Sequence, residues 1–185
     1  LCQKIENSTL GTAGGRLDQY GIILSKKDQF MLIDFYHDSI EYISAVLKDC
    51  SWILINSKVY RELSESAYLQ RVKESNEGLK ILKNKFGISS FREIDGFMLE
   101  SLKENSVVLY KRLCHLLDEN QRVNDMKDKL QKGIANEVGK ILQASHESLK
   151  TLYEVSCVEI DYMIKISGNV TGWYGGRIIG GGFGG

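Results

Sequence analysis

YGGRIIGGGFGG, residues 174–185, ends in six positions that are all glycine except Phe183. A run with so few Cβ atoms can adopt positive φ at several points and can bring backbone N–H groups close to phosphate oxygens. A flexible glycine linker is the alternative interpretation. The apolar, strand-like residues 173–179 that lead into the run, and the buried-type aromatic Phe183 inside it, favour a phosphate-side loop.

Composition limits the classes of partner. The chain has 185 residues, 43% of them hydrophobic, which is enough for one sizeable core or parts of two. Lys+Arg and Asp+Glu both total 24, so nucleic acids and anionic membranes are disfavoured as partners. The apolar runs, such as residues 52–55, fall far short of the ~20 residues that cross a bilayer.

The cysteines are widely spaced and form no CxxC pair. This spacing argues against a zinc site and favours reduced thiols in the cytoplasm. The four cysteines are Cys2, Cys50, Cys114 and Cys157.

The order of patterns along the chain predicts an α+β fold. Short apolar runs separated by polar turns predict an antiparallel meander of strands over residues 20–24, 29–35, 41–47 and 51–56. The period then becomes helical, and we expect helices over residues 65–85, 106–131, 136–149 and 156–166, with a short helix after the S-x-x-E capping box at Ser90. Ser64 is the predicted cap of the first of these, and Gly87 and Gly133 are predicted helix ends. The stripe predicted to face the core from the longest helix is Leu109, Leu113, Leu116, Val123, Met126 and Leu130.

Two polar residues are candidates for chemistry on position alone. Asp18 follows the glycine pair Gly14-Gly15, where a chain can present an acid into a cleft. A turn or helix-capping aspartate is the alternative for Asp18. His146 near the end of a predicted helix has no carboxylate partner nearby in sequence, so we favour a structural hydrogen-bonding role over catalysis.

Four stretches together resemble one family, the galactokinases, which are GHMP kinases. Residues 174–185 resemble the motif YGSRMTGGGFGG. Residues 145–161 resemble SHxSLxxxYEVSCxELD, and we call residues 153–157 the YEVSC run. Residues 15–34 resemble CGIMDQF followed by LLID, and residues 56–71 resemble NxxVxHxLxxSxYxxRR. The similarity covers nearly the whole chain in the expected order.

The resemblance implies a fold and a reaction. The fold is GHMP kinase-like: residues 1–57 would be the end of an N-terminal α/β sandwich, and residues 58–185 a helical, ferredoxin-like C-terminal domain. The reaction is transfer of the γ-phosphoryl group of ATP, with Mg²⁺, to the C1 hydroxyl of galactose or a related sugar. The expected partners are therefore a sugar and ATP. The first two family motifs would precede Leu1, so we expect this piece to be part of a longer kinase and inactive alone.

The resemblance also assigns residues. Asp18 falls on the catalytic aspartate, which accepts or orients the proton of the C1 hydroxyl. Tyr68 falls on a sugar-binding tyrosine, with a core position on its helix as the alternative. The YEVSC run is expected to pack beneath the glycine loop, and Arg177 to be a strand-edge charge. The loop positions implied at the sugar are Gly180 and Gly181, and those on the phosphate side are Gly182, Gly184 and Gly185.

Departures from the family pattern leave the sugar open. Arg16 stands beside Asp18, and Ile179 replaces the threonine before the glycine loop. Arg16 could pair with a carboxylated sugar, so galacturonate and arabinose remain alternatives to galactose. A sensor that binds sugar without turnover is a further alternative. The YEVSC run disfavours a mevalonate- or homoserine-type kinase.

Overall fold

The computed structural model describes residues 3, 5, 8, 9, 15–59 and 67–184. Predictions on Cys2, Gly14, Ser64 and Gly185 lie outside the described residues. The first complete element is helix α1, Leu17–Leu24. The predicted strand over residues 20–24 is therefore wrong, because this short apolar run forms the last turns of a helix.

A two-stranded antiparallel hairpin follows α1. Strand β1, Gln29–Asp34, pairs with β2, Ser39–Ser44, in the register Gln29↔Ser44 to Asp34↔Ser39. Tyr42 of β2 donates its hydroxyl to the Leu24 carbonyl at 2.7 Å, which ties α1 to the hairpin. Residues 51–56, the last predicted strand, form no ladder with the part of the chain that is described, so the sheet has two strands here rather than four.

Five further helices and one short 3-10 turn follow the hairpin in the described chain. Gly87 follows the first of these five helices with φ +72°, and its N–H donates to the Lys83 carbonyl at 2.9 Å. The predicted capping box at Ser90 is confirmed, and it starts the 3-10 turn Phe91–Glu93. Ser106 caps the longest helix by accepting from the Leu109 N–H, and Gly133 follows that helix with φ +68°. The helices are α2 Ala67–Phe86, α3 Gly96–Lys103, α4 Val107–Gln131, α5 Ala135–Thr151 and α6 Val158–Ser167.

Three hydrophobic clusters hold these elements together. The largest lies between α2, α3 and α4 around Leu82, Leu102 and Leu113, all at most 1% exposed. A second joins β2 to α4 and α5 through Ile43, Leu130 and other apolar side chains. Val123 of the predicted α4 stripe is 43% exposed, so that part of the stripe prediction is wrong. The third cluster, which lies beneath the glycine loop, consists of Leu149, Val155, Ile160 and Ile178.

Polar contacts also join the hairpin to the helical part of the chain. Arg92 of the 3-10 turn donates to both carboxylate oxygens of Asp34 at 3.1 and 2.7 Å. Lys127 of α4 reaches Glu41 of β2 at 2.6 Å. None of the helices in the described ranges is long and apolar enough to span a membrane.

Candidate active site around the glycine loop

The glycine loop has an unusual backbone. Gly180, Gly182 and Gly184 have φ of +75°, +86° and +129°, and Phe183 between them has φ +58°. A positive φ is strained for a bulky aromatic residue, and such strain concentrates at ligand sites. The predicted conformational use of the glycines is therefore confirmed for these positions.

Close packing under the loop also requires glycine. A Cβ at Gly182 would lie 2.6 Å from the carbonyl oxygen of Val155, and one at Gly184 would lie 2.7 Å from Cγ1 of Val59. Both distances are shorter than carbon atoms tolerate, so an alanine at either position would push the loop off its support. The loop thus sits directly on its neighbours, unlike a flexible linker.

Hydrogen bonds fix the loop to two other segments. The Phe183 N–H donates to the Val155 carbonyl at 2.6 Å, and the Phe183 ring packs on the third hydrophobic cluster. The Ser57 hydroxyl donates to the Gly184 carbonyl. The prediction that the YEVSC run packs beneath the glycine loop is confirmed by these contacts.

The chain that leads into the loop is not a strand among the described residues, so the strand predicted at residues 173–179 is wrong. It lies instead against α5, where Gly139 and Gly175 touch backbone to backbone. Gln143 of α5 donates to the Tyr174 carbonyl at 2.8 Å. Helix α5, rather than a neighbouring strand, supplies these contacts to the segment.

Arg177 is held by an internal ion pair rather than lying at a strand edge. Its Nη1 is 2.7 Å from Oε1 of Glu119 and 2.7 Å from the Ser145 hydroxyl. Arg122 is a second partner of the same carboxylate, at 2.9 Å. Burial alone would raise the pKa of Glu119, but the Ser145 hydrogen bond and the two arginines hold it below its usual value.

His146 is buried beside the loop and has a carboxylate partner that spacing in the sequence did not reveal. The Ile178 N–H donates to its Nδ1 at 3.4 Å, and its Nε2 lies 3.4 Å from Asp161 of α6. Nδ1 is thus the acceptor and Nε2–H the donor, which is the neutral form. Burial lowers the pKa of His146, in agreement with that form. These contacts favour the predicted structural role over an acid–base role.

Tyr68 lies in the first turn of α2 and is half-buried. Burial raises the pKa of the Tyr153 hydroxyl, and the nearby Tyr68 adds to that rise. Tyr68 is therefore close to the YEVSC run that supports the glycine loop. Its role in sugar binding stays a prediction.

Asp18 is exposed in the first turn of α1. Within the described residues, no hydrogen bond or ion pair joins it to the glycine loop. The neighbouring Arg16 turns toward the hairpin, where its guanidinium lies 5.2 Å from the Phe35 ring centre and 3.5 Å from Asp38. The catalytic role of Asp18 stays a prediction.

No group of three histidine, cysteine or acidic side chains that could hold a metal ion occurs in the described part of the chain. Cys50, Cys114 and Cys157 are free thiols.

Comparison with known proteins shows what the chain is similar to. It is 38% identical to a galactokinase of Thermotoga maritima over 185 residues, which is 100% of this chain and 51% of that protein. It is 33% identical to an Enterococcus faecalis galactokinase, covering 99% of this chain and 48% of the relative. The chain is similar to galactokinases over its whole length. No protein-family model matches it.

A solved structure extends the galactokinase similarity to the fold. The crystal structure of Lactococcus lactis galactokinase complexed with galactose superposes with a TM-score of 0.89 at 31% identity, over 99% of this chain and 48% of that one. The predicted resemblance and the α+β, GHMP kinase-like fold are thereby confirmed. The chain spans about half the length of the galactokinases it matches.

Proposed function

We propose that the protein containing this chain is an ATP-dependent sugar kinase, which transfers the γ-phosphoryl group to the C1 hydroxyl of galactose or a closely related sugar. The observation that carries the proposal is the glycine loop, held at positive φ on the YEVSC run in a chain that is similar to galactokinases from end to end. The galactose bound in the Lactococcus lactis relative supports the choice of sugar.

The proposed roles follow from what phosphoryl transfer needs. This reaction depends on in-line positioning and charge stabilisation more than on a strong base. Asp18 accepts a hydrogen bond from the C1 hydroxyl and orients its oxygen toward the phosphorus. Tyr68 holds the sugar from the start of α2. The backbone of Gly180 and Gly181 faces the sugar, and the phosphate-side positions are Gly182, Gly184 and Gly185.

The close packing of the loop supports a role beside phosphate. A Cβ at Gly182 or Gly184 would meet its support, so the loop backbone is fixed before a ligand arrives, and such preorganised N–H groups stabilise charge effectively. ATP would supply the transferred phosphoryl group. Mg²⁺ usually binds substrate phosphates, water and one or two carboxylates, so it needs no cluster of three acids. We assign no residue of this chain to the metal.

We also propose the division into residues 1–57, from an N-terminal kinase domain, and 58–185, from a C-terminal one. In this arrangement Asp18 comes from the first unit and Tyr68 and the glycine loop from the second. The contact of Ser57 with Gly184 is consistent with a site formed where the two units meet.

Arg16 bears on which sugar the protein uses. Its guanidinium is engaged by the Phe35 ring and Asp38, which supports a neutral sugar over galacturonate. Galactose and arabinose are both compatible with that contact.

A coupled ADP-release assay on the full-length protein tests the proposal. The panel is galactose, arabinose, galacturonate and glucose, each at saturating ATP and Mg²⁺. We expect turnover with galactose or arabinose and none with galacturonate. Sugar-dependent thermal stabilisation without ADP release from any sugar would instead identify a sensor and refute the kinase.

A further inference from the structure

A buried arginine lies at the centre of the helical part of the molecule. Arg112 of α4 is 2% exposed, and its guanidinium makes contacts in three directions. Nε donates to Glu74 of α2 at 2.7 Å, and Nη2 donates to Glu154 at 2.7 Å. Nη1 donates to the carbonyl oxygen of Leu152. The side chain therefore joins α4 both to α2 and to the turn that begins the YEVSC run.

Other charges complete this cluster. Arg71 of α2 lies 3.3 Å from Glu74 and 3.5 Å from Glu154, and it also reaches the Glu154 carbonyl oxygen at 3.5 Å. Lys111 lies 3.5 Å from Glu154. Burial alone would raise the pKa of Glu74, but the hydrogen bonds from Arg112 and Gln70, together with the charges of Arg112 and Arg71, outweigh it and lower that pKa. Arg112 also lowers the pKa of Glu154, so both acids are ionised at neutral pH.

The backbone at Glu154 depends on this cluster. Glu154 has φ +56°, a left-handed conformation that is uncommon for a residue other than glycine, asparagine or aspartate. Such a conformation persists only when its surroundings hold it. Here Arg112 holds the turn at two points, the side chain of Glu154 and the carbonyl of Leu152.

Val155, the residue after Glu154, connects this turn to the glycine loop. The Val155 carbonyl oxygen accepts the Phe183 N–H at 2.6 Å, and it lies 2.6 Å from the position that a Cβ of Gly182 would take. At the other end, Glu74 is on the same helix as Tyr68, less than two turns away. One guanidinium thus connects the helix that carries Tyr68 to the turn that carries the loop.

We propose that Arg112 is a positioning residue that sets the glycine loop and Tyr68 at their working separation through Glu154 and Glu74. The proposal rests on the proposed function, because it assigns these two features to one sugar site. Arg112 itself touches no reacting atom. This role requires the planar guanidinium of arginine, because a lysine offers one charged nitrogen and cannot reach three acceptors in a plane.

The first test is hydrogen exchange at the Phe183 amide in the full-length protein, with Arg112→Lys compared with Arg92→Met. Arg112→Lys keeps a positive charge among the acids and should fold. Arg92→Met is the matched control, because it removes another two-pronged arginine–carboxylate pair that has no contact with the loop among the described residues. We expect at least a tenfold loss of protection at Phe183 in Arg112→Lys and less than twofold in Arg92→Met. Unchanged protection in Arg112→Lys overturns the proposal whether or not the protein is a kinase.

The second test is a double-mutant cycle on kcat/KM for the sugar, with Arg112→Lys and Tyr68→Phe, at a temperature where all variants are folded. If Arg112 acts through the position of Tyr68, the two substitutions should not act independently. The fold-loss of kcat/KM in the double variant should then be at least five times smaller than the product of the two single fold-losses. Arg92→Met should stay within twofold of the parent. Losses that multiply, or an Arg112→Lys variant within twofold of the parent, contradict positioning and leave Arg112 a stabilising residue only. Absence of turnover in the parent refutes the proposed function, and the exchange result then decides the positioning claim alone.

Discussion

Replacing Gly182 by alanine tests whether the glycine loop must sit directly on the YEVSC run. The new Cβ would lie 2.6 Å from the Val155 carbonyl oxygen and 2.7 Å from the Val155 Cβ. Carbon–oxygen contacts normally begin at about 3.3 Å, so the loop or Val155 must move by roughly 0.7 Å. The movement would weaken the Phe183–Val155 hydrogen bond, which contributes about 0.5–1.5 kcal/mol. The positive φ of +86° adds about 1–3 kcal/mol of strain for alanine.

Gly172→Ala is the matched control. Gly172 has the same φ of +86°, but none of the described atoms lies within 4 Å of a Cβ built there. Both variants carry the backbone strain, and only Gly182→Ala adds the collision. We therefore expect Gly182→Ala to lower the free energy of unfolding by about 0.5–1.5 kcal/mol more than the control does.

Activity should separate the two variants more clearly than stability. A displacement approaching 1 Å in a site that works by positioning lowers the rate by up to about 100-fold. The assay is coupled ADP release by the full-length protein, with thermal unfolding measured on the same samples. We expect kcat/KM to fall by roughly 10- to 100-fold in Gly182→Ala and to stay within about twofold in Gly172→Ala. Equal activity in the two variants would refute the idea that contact with Val155 positions the loop.

Three further predictions concern stability and protonation. Arg92 depresses the pKa of Asp34, so the contribution of that carboxylate to folding stability is complete above its unfolded pKa of about 4 and is lost as the pH falls below it. Arg92→Met should therefore lose less melting temperature than the parent between pH 5 and pH 3. Parallel curves for the two proteins would contradict the pairing. Gly139→Ala should destabilise the fold by about 1–3 kcal/mol, because its Cβ has no space beside the Tyr174 backbone. Gly21→Ala lies at an open helical position and should not destabilise the fold. Equal melting temperatures for the two variants would refute the close contact. Burial lowers the pKa of His115 to about 4, so its imidazole NMR shifts should stay constant from pH 7 to pH 5. The unfolded state binds a proton near pH 6.5, so a fall in pH should favour unfolding. An imidazole titration midpoint above pH 6 in the folded protein would contradict this prediction.

The helical part of the fold was accessible from sequence because its signals are local. Ser106, Gly87 and Gly133 mark helix ends through hydrogen bonds and backbone angles that involve only neighbouring residues. The long stripes of α4 and α5 also extend over enough turns to define a period. Short apolar runs carry no such information, since residues 20–24 suit a strand and a helix equally well. The same ambiguity affected residues 51–56 and 173–179.

The site was predictable where the resemblance supplied a motif and hidden where distant residues meet. The glycine loop and its contact with the YEVSC run were expected. Sequence spacing did not connect Arg112 to Glu74, because these residues belong to different helices, 38 positions apart. The partner of His146 was missed for the same reason, since Asp161 reaches it from the following helix. Buried polar contacts of this kind depend on tertiary packing, which no local pattern reports.

Phosphorus NMR of the product that the full-length protein forms from galactose and ATP tests most directly whether it is a sugar 1-kinase. We expect the parent protein to form a sugar 1-phosphate, with the phosphoryl group on the C1 oxygen. We expect no product from Asp18→Asn, although galactose should still raise the melting temperature of that variant. A parent protein that is stabilised by galactose yet forms no sugar 1-phosphate, or an Asp18→Asn variant as active as the parent, would contradict the proposed function.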